Sequence, residues 1–301
     1  MTRGQPAATP PAAGGTLGVG RLLRDGAARL RAAGIATARQ DAELLLAQVL
    51  GVTRLALHLD GARELDTTAV ARFEALLGRR AGHEPLQYIL GVEEFRAIRL
   101  AVGPGVFIPR PETELLVERA LALAPAGAGV ALDLGTGSGA IACALARERP
   151  GLSVWAVELS GEAARWGRLN VERLGLADRV VVLEGDLVAP LAGRGLARAC
   201  DLVVANPPYI ARPALATLPL EVRDWEPPLA LDGGPTGLAV IARILAEAPA
   251  YARPGGRVLL EIGHDHAPAL RAVLDRDVRY GPPVFHRDLL GYERVLETEV
   301  R

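Results

Sequence analysis

Two segments concentrate residues whose types and spacing suit group-transfer chemistry. The first is Ala131-Leu132-Asp133-Leu134-Gly135-Thr136-Gly137-Ser138-Gly139-Ala140, where an apolar run opens into three alternate glycines. Glycine lets the backbone turn tightly and approach a ligand, and amides exposed at the start of a following helix attract a carboxylate or a phosphate. Gly135, Gly137 and Ala140 also satisfy the dinucleotide fingerprint, so the loop alone indicates a nucleotide or nucleoside cofactor without choosing between them. The second segment is Asp201-Leu202-Val203-Val204-Ala205, a buried strand by composition, ending in Asn206-Pro207-Pro208-Tyr209. The Asn206 side-chain oxygen and the Pro207 carbonyl can accept the two hydrogens of a planar amide or aromatic amino group. Two prolines stiffen the turn that holds them, and Tyr209 can stack on the planar group.

Three acids refine the cofactor. A carboxylate at Asp133, aimed into the loop, suits the cationic amino end of S-adenosylmethionine and would repel a pyrophosphate. Glu158 ends the next apolar run about 20 residues further on, where an acid can take both hydroxyls of a ribose. Asp186, in Glu184-Gly185-Asp186-Leu187, can accept from an adenine amino group, with Leu187 packing on the ring. In this order the segments describe methyl transfer to a planar nitrogen. Because that lone pair is delocalised, the reaction depends on holding both N–H bonds and aiming the nitrogen, and no general base is needed before transfer.

The elements around these residues set the expected fold. From Leu17 to about Gly78 apolar residues recur at helical spacing, punctuated by Gly34 and Gly51, with Thr37 and Asp66 where N-caps are useful. Residues 91–110 suggest a β-hairpin linker, through the alternation from Phe95 to Val102 and the turn Gly103-Pro104-Gly105. A helix through Glu114–Leu123 and strands at Val130–Leu134, Ser153–Val157, Val180–Leu183, Asp201–Val204 and Arg257–Ile262 then alternate. This is the pattern of an α/β doubly wound, Rossmann-like sheet, in which ligands sit beyond the carboxyl ends of the strands. The expected domains are a disordered tail at 1–15, a helical domain at 16–90, the linker, and an α/β domain at 111–301.

Composition narrows the function classes. The 34 basic residues are all arginine, which excludes Schiff-base lysine chemistry and a Walker-type phosphate lysine. They balance 35 acidic residues to a net charge of −1, so no global field holds a nucleic acid or an anionic membrane. Cys143 and Cys200 lack paired spacing and read as buried, reduced thiols. No apolar stretch is long enough to span a bilayer and residues 1–15 lack a signal-peptide core, so a cytoplasmic protein is expected. His264-Asp265-His266 reads as a solvated turn, and no metal is expected. Trp225 is expected to pack beside the acceptor loop.

The chain resembles the release-factor glutamine N5-methyltransferases. The resemblance rests on Glu84-Pro85-Leu86-Gln87-Tyr88-Ile89-Leu90-Gly91, on Phe107-Ile108-Pro109-Arg110-Pro111-Glu112-Thr113-Glu114, on the glycine loop, on Asn206-Pro207-Pro208-Tyr209, and on Glu226-Pro227-Pro228-Leu229-Ala230-Leu231-Asp232-Gly233-Gly234. The Asn-Pro-Pro-Tyr turn is shared with adenine-N6 methyltransferases, the alternative reading; the segment around Arg110 is more particular. The resemblance implies that Asp133, Gly135, Thr136, Gly137, Ser138, Gly139, Glu158, Asp186, Leu187 and Asn206 bind S-adenosylmethionine, released as S-adenosylhomocysteine. It implies that Asn206, Pro207 and Tyr209 are catalytic and, with Pro208, Phe107 and Thr113, hold the acceptor glutamine. The implied substrate is the Gly-Gly-Gln loop of peptide-chain release factors, docked with help from the N-terminal helices by a monomer that forms no stable nucleic-acid complex. Three departures stand out: Glu158 where aspartate is usual, Leu187 where an aromatic often follows the aspartate, and His264-Asp265-His266 in place of a glutamine-containing segment.

Overall fold

The computed structural model describes residues 17–301, and the tail expected at 1–15 lies outside them. The chain divides into two compact units between Leu90 and Gly91.

In the first unit, β1 (Leu17–Gly18) pairs antiparallel with β2 (Glu64–Leu65), and the helices are α1 (Val19–Ala32), α2 (Ala38–Leu50), α3 (Arg54–Leu59), α4 (Thr67–Ala81) and α5 (Leu86–Leu90). Leu30, Leu45 and Phe73 from α1, α2 and α4 form its core. Asp66 caps α4, accepting from the Ala69 amide at 2.7 Å, and Gly51 ends α2 in the left-handed region at φ 65°. Thr37 occupies the N-cap position of α2 but makes no capping bond with its side chain. Asp41 and Arg80, both buried, tie α2 to α4 at 2.7 Å.

The second unit opens with β3 (Val92–Phe95) and β4 (Ile98–Ala101), followed by α6 (Thr113–Leu123), β5 (Gly129–Leu134), α7 (Ala140–Glu148), β6 (Leu152–Glu158), α8 (Gly161–Arg173), β7 (Val180–Glu184) and β8 (Cys200–Ala205). It continues through α9 (Leu220–Arg223), α10 (Ala239–Glu247), β9 (Ala252–Glu261), α11 (Ala267–Leu274), β10 (Val284–Arg287) and β11 (Glu293–Glu299). Seven strands form one sheet in the order β10-β11-β9-β8-β5-β6-β7, with β5 to β9 mutually parallel and β11 antiparallel to both its neighbours. Alternate residues serve opposite faces: Leu202 and Val204 join a core with α6, α7 and α8, whereas Val203 and Ala205 join one with α10 and α11. This is the doubly wound arrangement expected, and strand order reverses at β5, where β6 lies on one side and β8 on the other.

The segment read as a linker is instead built into the second unit. Phe95, Ile98, Leu100 and Val102 belong to the same core as Leu116 and Ile141. Asn170 of α8, fully buried, accepts from the Ala101 amide at 2.7 Å and donates to the carbonyls of Ala101 and Ser138 at 2.9 Å each, joining hairpin to glycine loop. Trp166 covers Gly103 so closely that a Cβ there would lie 2.7 Å from the indole. The C-terminal pair β10 and β11 has no counterpart among the expected strands. Its sequence, with Glu293, Arg294, Glu297 and Glu299, lacks the apolar run that marked the others.

Candidate active site

Five parallel strands end on one edge of the sheet, and most of the residues singled out from the sequence line a cavity there. The glycine loop forms its floor. Gly135 and Thr136 donate to the Val157 carbonyl at 2.8 and 3.0 Å, which bends the chain away from β5 toward β6. Gly135 and Gly137 have φ of 74° and 55°, a region that favours glycine. A Cβ at Gly135 would meet nothing within 4 Å, so the loop presents open backbone to the cavity. Gly135, Thr136, Gly137 and Ser138 all line it.

Gly139 and Asp133 do not. Gly139, at φ 81°, begins α7 and packs on Gly167, whose own Cβ would lie 3.0 Å from the Gly137 carbonyl. Asp133 has no exposed surface; its Oδ2 accepts from the Thr136 hydroxyl at 2.6 Å and the Ala142 amide at 3.2 Å. The carboxylate expected to face the cofactor lies beneath the loop, because its two bonds hold β5, the loop and α7 together. Burial pushes its carboxyl up to about 7.

Glu158 lines the cavity, with Oε2 accepting from Gly137 and Oε1 from Ser160, both at 2.8 Å. Each oxygen keeps a second lone pair for an incoming hydroxyl. Burial raises its affinity for a proton, against the pull of the Ser160, Gly137 and Leu159 amides. Asp186 and Leu187 also line the cavity. Asp186 pairs with Arg243, another lining residue, at 2.9 Å. Leu187 holds the left-handed region at φ 45°, an unusual conformation for a leucine and one that sets its side chain among the lining groups.

At the other end of the cavity stand Asn206, Pro207, Pro208 and Tyr209, with Phe107 and Thr113. Asn206 Nδ2 donates to Thr113 Oγ1 at 3.0 Å, which leaves Oδ1 as the acceptor of that amide. The turn is braced by a bridge between Ile210 and Asp232, in which Ile210 donates to the Leu231 carbonyl at 3.0 Å and Gly233 donates back at 2.9 Å. A Cβ on Gly237 would lie 2.3 Å from the Tyr209 carbonyl, so only glycine allows this close passage. Behind Phe107 the buried Glu226 accepts from the Ile108 amide at 3.2 Å and from Arg110, whose guanidinium lies 4.7 Å from the Phe107 ring centroid.

The sequence reading passed over three residues here. Glu261 is buried at the end of β9 and accepts from Thr113 and Tyr209; it ends a strand just as Glu158 does. Arg243 and Asn170 carried no local signal, since each sits within a helix and bonds partners distant in sequence, Asp186 for Arg243 and Ala101 with Ser138 for Asn170. Within the turn expected to be solvated, His264 and Asp265 are exposed, but His266 is buried, accepts from the Gly263 amide at 3.2 Å and meets the Tyr209 ring edge-on at 6.4 Å, which makes it part of the support for Tyr209. Trp225 is 37% exposed and lies outside the cavity lining.

A doubly wound sheet with an open glycine loop and an Asn-Pro-Pro-Tyr turn at its carboxyl edge defines a methyltransferase domain. Residues 100–218 match the methyltransferase small domain family, and residues 21–91 match the PrmC N-terminal domain family. The chain is 45% identical over 269 residues to a release factor glutamine methyltransferase from Mycolicibacterium smegmatis, covering 89% of this chain and 92% of that one. It is 44% identical over 252 residues to one from Moorella thermoacetica, covering 83% and 87%. Among solved structures, a methyltransferase from Pyrococcus furiosus is 21% identical with a TM-score of 0.47, covering 66% of this chain and 87% of that one. The chain belongs to the release factor glutamine methyltransferase family.

Proposed function

We propose that this chain uses S-adenosylmethionine to methylate the side-chain nitrogen of the glutamine in a Gly-Gly-Gln loop of peptide-chain release factors. The observation that carries the reading is the Asn206 amide, whose nitrogen is committed to Thr113 while its oxygen is left as an acceptor. The residues fit the cofactor: Gly135 offers open backbone with Gly137 and Ser138 lining the cavity beside it, Glu158 keeps lone pairs for the ribose hydroxyls, and Asp186 and Leu187 flank space for adenine. When bound, it supplies an electrophilic methyl on a sulfonium, and S-adenosylhomocysteine remains after transfer.

The chain's own part is positioning. Asn206 Oδ1 and the Pro207 carbonyl accept the two hydrogens of the acceptor amide and so aim its nitrogen, while Tyr209 covers the planar group. Phe107, backed by Arg110, lines the same end of the cavity. Once methylated, the nitrogen is a far stronger acid and loses its extra proton to water, so no base is assigned. The helices of the first unit are inferred to help dock the release factor, and the protein to act as a cytoplasmic monomer that holds no stable nucleic acid. A net charge of −1 supports the last point, and no helix among the described residues is long and apolar enough to cross a membrane.

The test is transfer of labelled methyl from S-adenosylmethionine to a purified release factor, beside the same factor with its loop glutamine replaced and beside adenine-containing DNA. Label on the intact factor alone is expected. Label on DNA, or on both versions of the factor, would overturn the glutamine reading.

A further inference from the structure

Glu261 has no part in the reading above, yet it touches two of the residues that reading relies on. Its side chain is buried at the last position of β9. Oε2 accepts from the Thr113 hydroxyl at 2.6 Å and Oε1 from the Tyr209 hydroxyl at 3.0 Å. Thr113 comes from the first turn of α6 and Tyr209 from the turn after β8, so one carboxylate joins three elements of the second unit. Burial and Glu261 together keep the Tyr209 phenol protonated, so it donates rather than accepts.

The polarity of this chain of bonds has a consequence. A threonine hydroxyl carries a single proton, and once that proton is given to a carboxylate only lone pairs remain. Whatever faces Thr113 from the other side must then donate. The Asn206 amide meets that demand by presenting Nδ2, at 3.0 Å, and a side-chain amide that presents its nitrogen on one side presents its oxygen on the other.

We propose that Glu261 is a positioning residue that fixes the orientation of the Asn206 amide through Thr113, and steadies the Tyr209 ring through its hydroxyl. The buried carboxylate thereby selects acceptors that carry two N–H donors on a planar group. The proposal rests on the preceding reading, in which Asn206 Oδ1 receives an N–H of the acceptor. In Glu261→Gln a side-chain N–H can face Thr113, which frees the threonine proton to reach Asn206 and favours the reversed amide. Thr113→Val keeps the side-chain volume and removes the link, whereas Thr113→Ser restores it.

Two readouts test this on the full chain. The first is kcat and KM for methylation of a purified release factor, with S-adenosylhomocysteine affinity measured by calorimetry. Glu261→Gln and Thr113→Val should each lower kcat at least about tenfold with cofactor affinity within about twofold of wild type, the scale of one hydrogen bond to a charged group. Thr113→Ser should recover most of the loss, and the double variant should be no worse than the poorer single one, because both act along one path. The second readout needs no turnover. Hydrogen exchange of the Asn206 side-chain amide, assigned by its disappearance in Asn206→Asp, should be slow in wild type and at least about tenfold faster in Thr113→Val and Glu261→Gln.

Wild-type kcat in folded Glu261→Gln and Thr113→Val, losses that multiply in the double variant, or unchanged amide exchange would each overturn the proposal. Should Glu261→Gln not fold, Thr113→Val and Thr113→Ser carry both readouts. A wild-type chain that methylates no release factor would overturn the preceding reading instead, and the exchange measurement would still decide the orientation.

Discussion

The Gly137 amide donates to Glu158 Oε2 at 2.8 Å, tying the middle of the glycine loop to the end of the neighbouring strand. Ser160 takes the other oxygen at the same distance, so a side chain suited to ribose also shapes the loop that receives the cofactor. Glu158→Ala should therefore weaken S-adenosylhomocysteine binding by more than about tenfold, since bonds to a charged acceptor contribute about 1.5–3 kcal/mol each. Glu158→Gln should fall between, because its amide nitrogen must face a backbone N–H at one of the two positions. Calorimetry checks both, and an alanine variant that binds within about twofold of wild type would show the carboxylate to be idle.

Arg110 and Glu226 join the segment that carries Phe107 to the turn after α9, and the carboxylate is the buried partner. Burial raises the Glu226 affinity for a proton, and Arg110 opposes that rise. Arg110→Ala leaves the carboxylate without its cation. Loss of one partner from a fully buried pair costs about 3–5 kcal/mol, and less is expected here because Arg110 is partly exposed. Urea denaturation should show Arg110→Ala destabilised and Arg110→Ala with Glu226→Gln less so. Arg110→Lys should not restore turnover, since an ammonium lacks the planar fork that reaches both the carboxylate and the Phe107 face. Equal stability in the single and double variants would contradict this account.

The legible part of this architecture is the part whose signal is local. Strands β5, β6, β7 and β8 stand within one residue of their expected bounds at either end, because buried parallel strands read as short apolar runs. Gly135 to Ser138, Glu158 and Asn206 to Tyr209 were legible for the same reason, being strand ends followed by turns. Glu261 escaped because the expected strand ran one residue further, to Ile262, which removed it from the strand-end position. Asp133 misled in the opposite sense: sequence gives its place in the loop but not whether it faces the cavity, and bonds to Thr136 and Ala142 turn it beneath the floor. The hairpin β10–β11 was illegible since its buried stretch, Val295 to Thr298, is half polar, with Glu297 bonded to His286 at 2.8 Å and Thr298 to the Gly281 carbonyl at 3.0 Å.

Asn206→Ala separates acceptor handling from cofactor binding. The Asn206 amide contributes its oxygen to the acceptor and only its nitrogen to Thr113, while the glycine loop and Glu158 depend on neither. Turnover on a release factor should fall at least about a hundredfold, on the scale of lost orientation at the reacting nitrogen. S-adenosylhomocysteine affinity should stay within about threefold, a change of under 1 kcal/mol. Parallel loss of binding and turnover would mean that Asn206 shapes the cofactor end of the cavity as well.

Asp133 gives the fold a dependence on pH whose sign is fixed by its burial. Its carboxyl is pushed up to about 7 mainly by desolvation, with the nearby Glu158 charge adding to the rise, and Oδ1 finds no hydrogen-bond partner among the described residues. In the unfolded chain the same group titrates near 3.9, so between the two values the native state holds the proton and the unfolded state does not. The stabilisation is therefore fully present below about pH 4 and is lost as pH rises to about 7. Asp133→Asn retains an oxygen to accept from Thr136 and Ala142 but cannot titrate. Measured by urea denaturation at matched pH, the stability of wild type relative to this variant should fall by up to about 1.4 kcal/mol per pH unit through that window, then level off. A difference that is flat across the same range would mean that Asp133 is ionised in the folded protein throughout, with Thr136 and Ala142 sufficient to hold its charge.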